Sequence, residues 1–134
     1  MDEDVPVMVR RSVRIDVMFQ GRASVAPAHA QRVRLSTSAP HRDGQVEVDV
    51  VDLSSNGVGF IAPVFFPKRT LLKLVVNAHD PAAPPLFTAV GRVQRAVMTD
   101  RRPAYMHGLA FEDLSADQIA AVEALIGRLS GTSA

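Results

Sequence analysis

Two short stretches hold the side chains best able to bind something charged. Val9 to Ile15, "VRRSVRI", carries Arg10, Arg11 and Arg14, and Val51 to Ile61, "VDLSSNGVGFI", carries Asp52, Ser54, Ser55, Asn56 and Gly57. A guanidinium presents a planar fork of donors that fits a phosphate or the O6/N7 edge of guanine, and it stacks on a purine face. A carboxylate such as Asp52 accepts from the amino and imino groups of guanine, so one purine nucleotide can engage both stretches at once. Taken alone, "DLSSNG" also reads as a well-made turn. Asp52 and Ser54 can bond nearby backbone amides, and Asn-Gly at 56 and 57 is a hairpin signal that tolerates positive φ.

The wider charge pattern supports an anionic partner. Of 15 basic residues only Lys68 and Lys73 are lysines, and seven of the arginines fall between Arg10 and Arg42, where Asp16 is the one acid. The net charge of the chain is only +1, so the basic character is local. An excess of arginine can reflect genome base composition, and only the clustered arginines count as a signal.

Other classes of chemistry find little here. With no cysteine the chain has no disulfide, thiolate metal centre or cysteine nucleophile, which suits a reducing, cytoplasmic setting. His29, His41, His79 and His107 lack metal-ligand spacing, and neither a G-x-S-x-G elbow nor a P-loop occurs. Glu112 and Asp113 read as the acidic lead-in to a helix, and no enzyme activity, metal or cofactor is expected. No apolar run approaches the ~20 residues that span a bilayer. The opening "MDEDVP" is acidic where a signal peptide is basic, so membrane insertion is not expected.

The elements that must position the two stretches are mostly strands. Residues 1–9 read as a mobile N-terminal arm with three acids and no period. Ile15, Val17 and Phe19 alternate with Asp16, Met18 and Gln20, a half-buried strand with Gly21 as a bend or bulge. Residues 26–44 form a long connection in which Val33 and Leu35 face inward. Val46, Val48 and Val50 mark a strong strand before the Asp52 corner, "VGFIA" a strand after it, and "LLKLVVN" from Leu71 to Asn77 another. Pro81, Pro84 and Pro85 break the chain because proline cannot donate to a sheet ladder. "LFTAVGRVQRAVM" and "YMHGLAFEDL" complete the strands, with Gly108 as a close-packing point. A helix over about 115–130 follows, capped by Ser115 with Gln118, carrying Ile119, Val122, Leu125, Ile126 and Leu129 on one face and ended by Gly131. Antiparallel strands at short spacing with one amphipathic helix predict a small, mainly β barrel, which removes exposed sheet edges. At 47% apolar residues the chain can fill a single core without metal or disulfide staples.

With both stretches in order on these elements, the chain resembles the PilZ domain family. "RRSVR" supplies an R-x-x-x-R as Arg10 and Arg14, and "DLSSNG" a D-x-S-x-x-G as Asp52, Ser54 and Gly57. "GVGFIAP", "VGRVQRAV" and "YMHGLAFEDLS" are similar to the family's later elements, so the likeness runs from about Arg10 to Leu129, and a PilZ domain over 10–130 is expected. The resemblance implies a six-stranded antiparallel β-barrel with a C-terminal helix that binds cyclic di-GMP, usually as an intercalated dimer. It implies that Arg10 and Arg14 clasp guanine and phosphate with Arg11 as an accessory. Asp52 and Ser54 would meet a guanine edge, Gly57 would permit the turn beneath, and Ser55 and Asn56 would be accessory contacts. The wide separation of Arg14 from Asp52 implies a hairpin insertion at about 26–44.

Such a domain would order its arm on the ligand and signal to a downstream effector protein in motility or biofilm regulation, acting as a monomer or weak homodimer. Two other readings compete. One is a ligand-independent PilZ adaptor for protein–protein interaction. The other is a small nucleic-acid-binding barrel, disfavoured by an aromatic content of 5% and the absence of Trp, so neither DNA nor RNA is expected.

Overall fold

The computed structural model describes residues 14–27, 44–99 and 104–130. Its elements in chain order are β1 (Ile15–Val25), β2 (Val46–Ser54), β3 (Gly57–Ala62), β4 (Leu71–Val76), β5 (Phe87–Met98), β6 (Tyr105–Phe111) and α1 (Ala116–Ser130). Every pairing is antiparallel, and the strands close into a barrel in the order β1-β2-β3-β6-β5-β4. Closure gives every strand a neighbour on both sides, although the start of β1 and the end of β5 run beyond their ladders with β4. The arm at 1–9, Arg10 and Arg11, His29, His41, Val33 and Leu35 of the long connection, and Gly131 lie outside the described residues.

Alternation fills the barrel. Val46, Val48 and Val50 of β2, Phe60 of β3, Leu72, Leu74 and Val76 of β4 and Val93 of β5 are all buried. Phe66 joins them from the β3–β4 connection, while its neighbour Phe65 stays 48% exposed and packs edge-on against Tyr105. Helix α1 packs against β5 and β1 and adds Val122 and Leu125 to the core. Its apolar face is narrower than the sequence period predicts. Ile126 is half-buried, but Ile119 and Leu129 remain exposed because the barrel wall reaches only one side of the helix.

The capping box forms as expected. The Ser115 amide donates to Gln118 Oε1 at 2.8 Å, and the Gln118 amide donates to Ser115 Oγ at 3.1 Å. Gln118 Nε2 also donates to the Thr88 carbonyl at 3.0 Å, tying the helix start to β5. Glu112 clamps Arg92 through two hydrogen bonds, of 2.7 and 3.0 Å, while Arg92 Nη1 donates to the Arg69 carbonyl. That pair keeps Arg92 firmly charged, raising its pKa. Gly21 sits within β1 without a break; the irregularity expected there lies instead between Asp16 and Phe19. Among the described residues no helix is long and apolar enough to cross a membrane.

Candidate ligand-binding site

The site is made by departures from the two-residue period. Strict alternation along β2 from Val46 would turn Asp52 into the barrel. A bulge at Val51 prevents this. Val50 pairs with Phe60 and Asp52 with Gly59, leaving Val51 without a partner on β3, so Leu53 takes the next inward place. The β1 irregularity accommodates the same spot, with Asp16 opposite Asp52 and Phe19 opposite Val50.

The same device operates in β5. Phe87, Ala89 and Val93 are buried in alternation, which would carry Arg95 inward as well. Instead Val93 pairs with Leu109 and Arg95 with Gly108, so Gln94 is the extra residue and both Gln94 and Arg95 are exposed. One row of cross-strand neighbours now runs over the outer surface as Asp16, Asp52, Gly59, Gly108 and Arg95. A second row beside it runs Ser54, Gly57, Ala110 and Arg92. The floor between these walls carries nothing larger than the methyl of Ala110. It forms a depression of about 230 Å³ whose lining includes Arg14, Ser54, Asn56, Gln94, Arg95 and Met106.

Asp52 rests on the floor. A Cβ at Gly59 would lie 2.8 Å from the Asp52 Cγ and closer still to Oδ2, so the missing side chain at 59 is what gives the carboxylate its place. Arg14 Nε stands 3.7 Å from Asp52 Oδ1, with side chains 67% and 13% exposed respectively. The contact is loose, and Arg14 keeps donors free of hydrogen bonds among the described residues.

Ser54 is buried and holds the corner. Its Oγ accepts from the Asn56 and Gly57 amides, each at 3.2 Å. The turn at Ser55 and Asn56 uses no left-handed residue: the positive φ expected at Asn56 or Gly57 is not found, and Gly57 is not there to permit a turn. It is there for space, because a Cβ would collide with the Leu109 carbonyl oxygen of β6. Gly108, by contrast, is no close-packing point, since a Cβ there would have the Arg95 Cβ at 3.7 Å as its nearest neighbour.

Of the residues singled out from sequence, Arg14, Ser54, Asn56 and Gly57 line the depression, with Asp52 at its edge over Gly59. Ser55 is exposed and faces a separate shallow groove with Leu114 and Ile119. Arg10 and Arg11 fall outside the described residues. Sequence reasoning missed Asp16, Gly59, Gln94 and Arg95. Their signal is register, which appears only when strands are paired.

The arrangement offers cationic forks and a carboxylate beside a floor of glycines and Ala110. That suits a planar, anionic ligand with donors on its edge, as a purine nucleotide is. Among the described residues no group of three His, Asp or Glu is placed to hold a metal ion. His107 lies on the inward side of β6. It is fully buried, its Nε2 accepts from the Phe66 amide at 3.0 Å, and its ring stacks on Phe60 at a centroid distance of 4.9 Å. Burial lowers its pKa from 6.5 to about 4, with the Tyr105 backbone pulling weakly the other way.

Comparison with known proteins agrees with this architecture. The family model described as PilZ domain matches residues 8–128. No curated protein matches the chain by sequence. Among solved structures, the Bacillus subtilis inhibitor of motility, MotI/DgrA, aligns with a TM-score of 0.63 and 12% identity over 92% of this chain, which spans only 52% of that protein. The PilZ domain of YcgR from Escherichia coli, solved with c-di-GMP, aligns at 0.57 and 14% over 90% of both chains. The PilZ domain of CeSA from a cellulose-synthesizing bacterium aligns at 0.57 and 17%, over 90% of this chain and 100% of that one. At these identities the structural likeness speaks for the fold.

Proposed function

The chain belongs to the PilZ domain family, and from that premise we propose that it is a receptor for cyclic di-GMP. The observation that carries the reading is the convergence of Arg14, from the first motif, with Asp52, from the second, on one concave patch of the barrel. In this reading Arg10 and Arg14 grip phosphate and the O6/N7 edge of a guanine, and Arg11 assists. Asp52 accepts from the guanine N1 and N2 protons, Ser54 holds the corner that presents it, and Gly57 lets β3 lie against β6. Ser55 and Asn56 make accessory contacts. No bond is made or broken, so the protein acts as a binding and signalling module, without catalysis.

Binding brings the arginines of residues 10–14 onto the ligand and presents an altered surface to an effector protein, in motility or biofilm control. The size of that shift is bounded by the ligand's preference for the closed form. Hydrogen exchange over residues 1–13 checks it: protection should rise with ligand, and equal protection in both states would refute the closure.

Isothermal titration with cyclic di-GMP, beside GTP and cyclic di-AMP, tests the receptor reading itself. Saturable heat with cyclic di-GMP alone is expected, and the stoichiometry tells one dinucleotide from two. A folded sample giving no heat would refute the receptor and leave a ligand-independent adaptor.

A further inference from the structure

We infer that Arg95 is a second cationic anchor of the site, holding an anionic phosphodiester oxygen of a ligand that lies across the Gly59–Gly108 floor. The inference rests on the receptor reading above and extends it to the opposite wall, which neither motif reaches.

Three observations carry it. The first is position: Arg95 ends the row that begins at Asp16 and Asp52, with only Gly59 and Gly108 between. Three strand spacings of about 4.8 Å put the Asp52 and Arg95 backbones roughly 14 Å apart along the sheet, a span that a dinucleotide can cross and a single base cannot. The second is the bulge at Gln94. Without it the alternation of β5 would bury Arg95, and an unpaired guanidinium in an apolar barrel is prohibitively costly. The β5 bulge does for Arg95 what the β2 bulge does for Asp52, and the two irregularities frame the same floor.

The third observation is availability. Arg92, one rung away on the same face, is committed to Glu112 and to the Arg69 carbonyl, and Arg22 bonds Gln45. Arg95 has no hydrogen-bond or ion-pair partner among the described residues, while it lines the depression with Arg14. A free fork on the wall of a concave, glycine-floored surface is placed for charge-assisted bonds to an anion. Gln94, already outward by the regular alternation of β5, adds an amide donor beside it.

The test is titration of the full chain with cyclic di-GMP for wild type, Arg95→Ala, Arg95→Lys and, as a control remote from the floor, Arg22→Ala. Arg95→Ala should weaken binding roughly ten- to a hundredfold, the range for a charge-assisted bond, with an unchanged thermal melt. Arg22→Ala should stay within about threefold, and Arg95→Lys should recover most of the loss because phosphate accepts a point charge. Wild-type binding with Arg95→Ala unchanged would overturn the anchor and leave the receptor reading intact. A lysine variant as weak as the alanine one would overturn the phosphate assignment. No binding by wild type would overturn the receptor reading, and the anchor with it.

Discussion

The carboxylate of Asp52 occupies the space that a side chain at Gly59 would fill: the two residues pair directly across β2 and β3, and a Cβ at 59 would stand 2.8 Å from Asp52 Cγ. Gly59 therefore works through Asp52. Gly59→Ala should displace the carboxylate from Arg14 and lower cyclic di-GMP affinity about as much as Asp52→Ala does, by roughly tenfold or more, the scale of a lost charge-assisted bond. Titration of both variants and their double mutant checks this. Independent, additive losses would refute the coupling.

Gly57 fails differently. Its hypothetical Cβ meets the Leu109 carbonyl, a backbone atom held in the β3–β6 ladder that cannot turn aside like a side chain. Gly57→Ala should cost stability, on the order of 1–3 kcal/mol, as overpacking does. Chemical denaturation should locate the loss, and a variant of wild-type stability would show that the strands can separate there.

The individual strands and the helix cap were legible because each rests on local pattern, whereas the six-stranded closed barrel was what the family resemblance implied. Val46, Val48 and Val50 alternate, and Ser115 with Gln118 is a cap within four residues of sequence. Arg14, Asp52 and Ser54 stood out by residue type. What could not be read was the outward turn of Asp52 and Arg95, because a bulge is a relation between two strands and leaves a single strand's sequence looking regular. Gly57 was misread for the same reason. A glycine after Asn suggests backbone freedom, whereas its need for space comes from Leu109, some fifty residues away in sequence and adjacent only in the barrel.

Arg14 and Asp52 should matter to the ligand far more than to the fold. Their contact is 3.7 Å long and Arg14 is largely in solvent, where such pairs contribute about 0–1 kcal/mol. Arg14→Ala should leave the denaturation midpoint nearly unchanged while abolishing measurable cyclic di-GMP binding. A large drop in stability would instead make the pair a structural tie.

Burial gives the stability of the fold a pH dependence through His107. Its ring stays neutral in the folded barrel down to about pH 4, whereas in the unfolded chain it takes up a proton near 6.5. Above 6.5 neither state is protonated and the residue adds no pH dependence. As the pH falls from 6.5 to 4, the unfolded state binds the proton first, so folding stability declines, by on the order of 2–3 kcal/mol, and levels off once both states are charged. Protonation in the folded state would also remove the acceptor of the Phe66 amide and place a cation among Phe60, Phe65 and Phe66. Urea denaturation at pH 7 and pH 4.5 should register the decline, and His107→Phe should flatten it, since no other group then titrates at that place. Proton resonances of the His107 ring should stay at their neutral positions until below pH 5. A ring titrating near 6.5 in the folded protein would refute the assignment, because it would mean that water reaches the inward face of β6.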